Sequence, residues 1–334
     1  MREHLMGTQV MVAGLTPGEA ATVFAWLRRV ERTFSRFRAT SDTGRVNGGG
    51  VVEVSELFLT ALGEAIRYAE ATDGLFSPWL AGEVSRAGYT VDFAHLGRSP
   101  APDSPPGPSA HRSGGAVEVD FGRRTVRVEG GLGVDLGGFV KGWSVQKAAE
   151  ALRSRGVRRG LIDAGGDLVC WRDPSDPPWL VGVEHPLDAG SSLVTLGLPA
   201  GLVAVATSSV ARRSWTGPEG NRLHHLIDPR TGRPSESDCV QATVVTDDLG
   251  AAEVHAKCLV ILGTEEGPRW LSARAPSARP LLVTRAGTLL TPERTRAEHG
   301  LSPHLQPEGT GVERGVPLHP HLEGTEVGAA EVAG

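Results

Sequence analysis

A glycine loop beside a lone lysine is the segment of this sequence best suited to bind an anion. Residues 134–143 read V-D-L-G-G-F-V-K-G-W, a short apolar strand followed by two glycines and then by a predicted helix. Gly137 and Gly138 allow the backbone to approach a ligand closely, and Lys141 places a positive charge next to the amides that open the helix. Taken alone, the same pattern also fits a plain tight turn.

A second polar segment surrounds two adjacent histidines. Residues 206–215 read A-T-S-S-V-A-R-R-S-W, and residues 224–234 read H-H-L-I-D-P-R-T-G-R-P. The D-P and T-G pairs are turn formers, so the two histidines and two arginines of the second stretch lie around a turn. The pattern therefore predicts a turn that carries polar chemistry.

In their order and separation, these segments and several shorter ones resemble the FAD:protein FMN transferase family, also called ApbE-like proteins. The matching motifs are M-G-T at 6–8, S-R-F-R at 35–38, D-G-L-F at 73–76, D-L-G-G-F-V-K-G at 135–142, D-A-G-G-D at 163–167, T-S-S at 207–209, H-H-L-I-D-P-R-T-G at 224–232 and A-A-E-V-H-A-K at 251–257. The resemblance implies an α+β fold, with mixed and antiparallel sheets packed against helices in a single large domain. It also implies a reaction in which FAD is split at its pyrophosphate, FMN is attached through a phosphoester to a Thr or Ser of an acceptor protein, and AMP is released.

The resemblance implies that two residues of the glycine loop contact FAD. Asp135 would accept hydrogen bonds from a sugar or ring, and Lys141 would neutralise a pyrophosphate oxygen. Spacing alone suits Asp135 equally well to capping the turn. The resemblance also implies that six further residues line the nucleotide pocket, namely Met6, Phe37, Leu75, Phe76, Ser77 and Ile227. By residue type alone, most of them would be expected in the hydrophobic core.

The histidine turn carries the candidate catalytic residues. Phosphoryl transfer requires neutralised phosphate oxygens, an in-line hydroxyl, and a group that takes the proton of that hydroxyl. His225 and Asp228 are the candidates for proton transfer, and Arg230 is a candidate for phosphate contact. Two alternatives stay open: capping of the D-P-R-T-G turn suits Asp228 better than catalysis does, and a purely structural role suits His225 as well as a catalytic one.

The positions that hold magnesium in the family are altered here. The resemblance implies a metal site at the carbonyl of Gly138 and at two helix positions that are Glu253 and Lys257 in this sequence. Glutamate can ligate Mg²⁺ through oxygen, whereas a charged lysine cannot. The purely structural interpretation is a salt bridge between Glu253 and Lys257, one helical turn apart, which would be worth about 0.2–0.5 kcal/mol. The sharper hypothesis is that the Lys257 ammonium, paired with Glu253, takes the place of the metal; otherwise Mg²⁺ is the expected cofactor.

Three functions use this one pocket. Transfer of FMN from FAD to an acceptor protein is the first, and the intact glycine-loop and histidine-turn motifs favour it. A protein that binds FAD without turnover is the second, and the altered metal positions favour it. An FAD pyrophosphate hydrolase is the third, and only the presence of an acceptor distinguishes it from the first.

Hydrophobic spacing predicts the elements that position these residues. Apolar residues at threes and fours predict helices over about 17–37 and 55–72, with Ser55 as the N-cap of the second. Further predicted helices cover about 142–153 and 249–262. Alternation predicts a hairpin that turns at 122–124, and strands over 160–171, 179–184, 193–198, 202–207, 240–246 and 280–284.

Composition favours a soluble enzyme rather than a protein that binds nucleic acid. The net charge of -5 leaves no basic surface for a phosphate backbone. Residues 1–12 lack the features of a signal peptide, and no window is apolar enough to span a membrane, which predicts a cytoplasmic location. Three cysteines without C-x-x-C spacing predict free, buried thiols.

One large domain is predicted over residues 1–290. Residues 97–115 are dense in Pro, Ser and Gly, which predicts a flexible insertion within that domain. Residues 291–334 contain few large hydrophobic side chains, which predicts a disordered tail.

Overall fold

The structure, a computed structural model, describes residues 1–91, 115–188, 190–217 and 220–291. The predicted insertion 97–115 and the predicted tail 291–334 lie outside the described residues, apart from positions 115 and 291. In chain order the helices and strands are β1 (Arg2–Leu5), β2 (Thr8–Ala13), α1 (Pro17–Phe34), α2 (Asp42–Asn47), β3 (Val52–Glu53), α3 (Glu56–Ala71), α4 (Ala81–Arg86), β4 (Val117–Asp120), β5 (Thr125–Val128), α5 (Val140–Ser154), β6 (Gly160–Ala164), β7 (Asp167–Arg172), β8 (Trp179–Glu184), β9 (Ser192–Leu198), β10 (Gly201–Ser209), β11 (Ser214–Thr216), β12 (Arg222–His224), β13 (Ile227–Asp228), β14 (Arg233–Pro234), β15 (Cys239–Thr246), α6 (Leu249–Arg274), β16 (Arg279–Thr284) and β17 (Leu289–Leu290).

An antiparallel sheet of eight strands forms the centre of the fold, in the order β1-β2-β6-β7-β10-β15-β16-β17. Its inner strands are rich in Val, Ile and Leu and are buried along most of their length. Such continuous burial requires that both faces of the sheet are covered. The predicted α+β class, with antiparallel sheets packed against helices, is confirmed.

Helices cover one face of this sheet and a β-hairpin covers the other. Ile162 and Val169 belong to the main core with α1, α3, α5 and α6. Their chain neighbours Leu161 and Leu168 pack on the opposite face against β8 and β9. Because side chains alternate across a strand, each strand of the sheet contributes to both cores.

The boundaries of the main helices follow local capping. Thr16 and Glu19 form a capping box at the start of α1, and the Ser55 side chain accepts a hydrogen bond from the Phe58 amide at 3.2 Å, as predicted for α3. The backbone of α6 leaves the helical region at Gly263, with φ of 85°, one residue after the predicted end. Helix α1 ends at Phe34 rather than at 37, which places Phe37 beyond the helix.

Two strand predictions were wrong. Residues 160–171 form a hairpin of β6 and β7 instead of one strand, because Gly165 and Gly166 have φ values of 70° and 98° that only glycine adopts readily. The apolar run before the glycine loop forms no strand, only an isolated bridge between Leu80 and Gly133. Within the described residues, no helix is long and apolar enough to cross a membrane.

Candidate active site

The predicted site residues converge on one cavity of about 390 Å³. The turn between β1 and β2, the end of α1, the start of α5 and the first turns of α6 all contribute to its wall. Of the predicted site residues, Asp228 and Arg230 do not line it; those that do are Met6, Phe37, Leu75, Phe76, Ser77, Asp135, Gly138, Lys141, His225, Ile227, Glu253 and Lys257.

Two loops, after α3 and after α1, add apolar side chains to the wall of the cavity beside those of the helices. Leu75, Phe76 and Ser77 are buried in the loop that follows α3, where the Phe76 amide donates to the Thr72 hydroxyl at 3.1 Å. Phe37 is 39% exposed and packs its ring edge-on against Tyr89 at a centroid distance of 5.8 Å. The wall therefore offers aromatic and apolar surface to a ligand.

The glycine loop is held by contacts from distant parts of the chain. The Asn47 side chain donates to the Val134 carbonyl at 2.9 Å and accepts from the Val134 amide at 2.7 Å. Asp135 accepts from the Gly137 amide at 2.8 Å, and its other oxygen lies 3.7 Å from Nε of Arg36. Asp135 thus caps the turn while it lines the cavity, so the two interpretations of this residue are compatible.

Lys141 forms an ion pair with Asp167, the last residue of the D-A-G-G-D motif. Burial lowers the pKa of Lys141 to about 8, while the negative charges of Glu253 and Asp163 oppose that shift. Asp163 closes the turn between β6 and β7, where it accepts from the Gly166 amide at 2.9 Å, and burial raises its pKa to about 7. Lys141 is thus a cation held at the cavity wall by one direct carboxylate contact.

The oxygens that the resemblance assigns to magnesium are already in use. Nζ of Lys257 donates to the Gly138 carbonyl at 3.1 Å, and the Glu253 carboxylate accepts from the buried Gly142 amide at 2.8 Å. A hard divalent cation requires about six oxygen ligands. Within the described ranges, no three His, Cys, Asp or Glu side chains are grouped to hold a metal ion. The residues present do not fit magnesium while Lys257 is protonated.

The ammonium of Lys257 is fixed by neighbours other than its predicted partner. In the described structure no ion pair joins Lys257 to Glu253, so the predicted salt bridge is not formed. Burial lowers the pKa of Lys257, and the negative charges of Glu253 and Asp135 oppose this effect from a distance. The ammonium also lies 5.6 Å from the centre of the Phe76 ring.

His225 is a neutral imidazole facing the cavity. Its Nδ1 lies 3.3 Å from the carbonyl of Arg213, and since a carbonyl only accepts, Nδ1 is the protonated nitrogen. Burial holds the pKa of His225 well below its usual value, and the charges of Arg213 and Lys257 lower it further. Nε2 of this tautomer therefore carries a lone pair that can accept a proton.

Asp228 is engaged in its own turn. Arg230 donates to both oxygens of the Asp228 carboxylate, at 2.9 and 3.0 Å, and the Arg230 amide donates to it at 2.9 Å. The Asp228 carbonyl accepts from the Gly232 amide at 2.8 Å. The turn-capping alternative accounts for these contacts, and it also occupies Arg230, which does not line the cavity.

Arg213 is a cavity residue that the sequence analysis does not single out. Its half-buried guanidinium makes no hydrogen bond or ion pair with any described residue, yet its charge lowers the pKa of Lys141, Lys257 and His225. We call Lys141, Arg213 and Lys257 the cationic wall. The signal was present in the A-R-R-S-W stretch, but nothing in the sequence distinguished Arg213 from Arg212, which pairs with Glu184.

These features define an α+β protein whose cavity is lined by apolar side chains, by a histidine and by the three residues of the cationic wall. The chain belongs to the ApbE family, whose family model matches residues 6–280. The FAD:protein FMN transferase of Vibrio cholerae is 29% identical over 253 residues, which are 72% of this chain and 72% of that protein. The FAD:protein FMN transferase of Rhodobacter capsulatus is 28% identical over 241 residues, which are 68% of this chain and 43% of that protein. The crystal structure of the ApbE protein of Thermotoga maritima has a TM-score of 0.75 and 25% identity, covering 90% of this chain and 98% of that chain.

Proposed function

We propose that this protein transfers the FMN portion of FAD to a Thr or Ser hydroxyl of an acceptor protein and releases AMP. One observation carries the proposal: residues distant in sequence bring a cationic wall, an apolar wall and a neutral histidine to a single cavity. The similarity to proteins named FAD:protein FMN transferase supports it.

Binding of FAD would divide between the two kinds of wall. The flavin and adenine rings are flat and apolar, and they suit the surface formed by Phe37, Leu75, Phe76 and Ile227. The pyrophosphate is anionic and suits the cationic wall, where Arg213 is without a partner in the described structure. Asp135, beside the Gly137 amide, remains the proposed contact to a hydroxyl or ring nitrogen.

The reaction exchanges one phosphorus–oxygen bond for another. The acceptor hydroxyl oxygen attacks the FMN phosphorus, the bond from that phosphorus to the bridging oxygen breaks, and AMP leaves with the bridging oxygen. Nε2 of His225 would take the hydroxyl proton, because the Arg213 carbonyl fixes the tautomer in which Nε2 is free. The cationic wall would neutralise the charge that develops on the phosphate oxygens.

Labelling by FAD tests this proposal directly. Purified protein is incubated with FAD and host-cell lysate, and proteins are separated on a denaturing gel and examined for covalent flavin fluorescence, while AMP is measured by chromatography. A fluorescent acceptor band together with an equal amount of AMP is the expected result. AMP and free FMN without a labelled protein would show a hydrolase, and retained FAD without AMP would show a binding protein; both would overturn the proposal.

The cytoplasmic location predicted from the sequence stays a prediction. It requires that the acceptor hydroxyl is presented in the same compartment as FAD. Three free and buried cysteines, Cys170, Cys239 and Cys258, are compatible with a reducing environment. Fractionation of host cells with an antibody against this chain would check the location.

A further inference from the structure

We propose that the Lys257 ammonium replaces a divalent metal ion in this site, so that FAD binds without magnesium. The identity of the ligand rests on the proposed function, but the inference concerns binding rather than transfer. It follows from three observations: the space made for the ammonium, the occupation of the nearby oxygens, and the charge left over for a ligand.

The glycine loop makes room for the ammonium. A Cβ atom at Gly138 would overlap Nζ and lie 2.8 Å from Cε of Lys257. Only a glycine at this position lets the side chain reach the carbonyl of the same residue at 3.1 Å. Nζ also lies 5.6 Å from the centre of the Phe76 ring, so the ammonium has a defined place in the wall of the cavity.

Glu253 is committed to the backbone. Its carboxylate accepts from the buried amide of Gly142, in the first turn of α5, and a Cβ at Gly142 would lie only 2.8 Å from the same oxygen. Turning Oε2 of this carboxylate toward a metal would leave a buried amide without a partner, which is unfavourable, so only Oε1 could serve as a ligand. A metal ion would also have to displace the ammonium from the Gly138 carbonyl. The Gly138 carbonyl oxygen and Oε2 of Glu253 are therefore more stable in their present contacts.

The cationic wall supplies the charge that a divalent ion would otherwise bring. Lys141 is neutralised in part by Asp167. Arg213 and Lys257 have no carboxylate in direct contact within the part of the chain that the structure describes. Two unit positive charges thus face the cavity alongside the Glu253 carboxylate, and they are available to contact the two negative charges of the FAD pyrophosphate. The substitution of two fixed monovalent cations for one divalent ion explains how a lysine is accommodated on α6.

The test is the dissociation constant of FAD, measured from the change in flavin fluorescence in EDTA and again in excess Mg²⁺, without any acceptor. For the natural protein we expect the same dissociation constant in both. Lys257→Met, which keeps the buried methylenes, should weaken binding about tenfold to a hundredfold in EDTA. Lys257→Thr should do the same and should regain affinity when Mg²⁺ is added, because the ammonium no longer covers the Gly138 carbonyl.

Lys147→Met is the matched control, because Lys147 is a half-exposed lysine that pairs with Glu150 outside the cavity. It should bind FAD like the natural protein. Thermal unfolding of each variant shows that it is folded. The inference is overturned if EDTA weakens FAD binding to the natural protein, or if both folded Lys257 variants retain its affinity. Metal-independent binding without labelling of any acceptor would contradict the proposed transfer and leave this inference intact.

Discussion

Burial and neighbouring charge keep His225 neutral, and this decides what the residue can do. Its pKa lies well below the usual value because the ring is desolvated and faces Arg213 and Lys257. A neutral imidazole is available as a base throughout the physiological range, although a lowered pKa also makes it a weaker one. An anionic ligand between the two cations would raise that pKa again, so binding of FAD would strengthen the base where it is used.

Replacement of His225 by Asn should slow transfer without abolishing binding. Loss of a general base costs about 10²- to 10⁴-fold in rate. We expect this loss in single-turnover labelling of the acceptor, with little change in the FAD dissociation constant. An equal loss of affinity would instead assign His225 to ligand binding.

Lys141 should give FAD binding an alkaline limit. Its pKa is lowered to about 8, so the ammonium is present below that pH and is lost as the pH rises through it. The dissociation constant of FAD, measured by fluorescence between pH 6 and pH 10, should therefore increase above about pH 8. Lys141→Arg keeps its charge throughout this range and should remove the increase. If the dissociation constant still increases above pH 8 in this variant, another group is responsible for the titration.

At the scale of elements, the two hydrogen bonds between the Asn47 side chain and the Val134 backbone, which we call the clamp, are the clearest link between folding and the site. Asn47 ends α2 and binds both backbone groups of Val134, although it does not itself line the cavity. The two hydrogen bonds hold an extended segment that no sheet supports. The position of Asp135 and Gly138 therefore depends on a side chain nearly ninety positions earlier in the sequence.

Asn47→Ala should loosen this loop. We expect a cost of about 1–3 kcal/mol in the free energy of unfolding, because two buried backbone groups lose their partners. FAD affinity should also fall, because the loop loses its fixed position. Ser55→Ala is the matched comparison: loss of the α3 cap should cost about 1 kcal/mol in urea unfolding with FAD affinity unchanged. A variant of Asn47 that binds FAD normally would show that the clamp serves stability alone.

Short-range sequence patterns predict the main helices and strands well, but they do not predict which of these elements contact each other. Ser55 correctly predicts the start of α3, and the spacing of apolar residues correctly predicts α1. Both succeed because a helix cap and an amphipathic helix face depend on residues only a few positions apart. The glycine pair at 165–166 forms a tight turn inside an otherwise apolar run. The sequence pattern therefore predicts one strand where the structure has a hairpin. The use of Glu253 to cap α5 joins positions 111 residues apart, and no periodicity reports such a contact.

The cavity itself was predictable only through the motifs. Composition and spacing gave no reason to bring Met6, His225 and Lys257 together, yet all three line it. Conversely, Arg213 has no distinguishing neighbours in the sequence and becomes noticeable only because the folded chain leaves it without a partner among the described residues.

At the scale of the whole molecule, the second core lies largely away from the cavity, since Glu184 alone among the residues of β8 and β9 lines it. The hairpin of β8 and β9 closes the sheet face that lies away from the helices, and Leu196 is fully buried there. Leu196→Ala should lower the free energy of unfolding by about 2–5 kcal/mol in a urea titration. The FAD dissociation constant should not change at temperatures where the variant is folded. A parallel loss of FAD affinity would mean that the two layers are mechanically coupled.

The scarcity of lysine makes the site accessible to chemical footprinting. The chain has only three lysines, of which Lys147 is half-exposed on α5 while Lys141 and Lys257 line the cavity. An acetylating reagent reacts with the unprotonated amine, so the lowered pKa of Lys141 would increase its reactivity near pH 8. Tandem mass spectrometry that assigns acetylation to each lysine would thus compare the protein with and without FAD, with Lys147 as the internal reference for reagent dose.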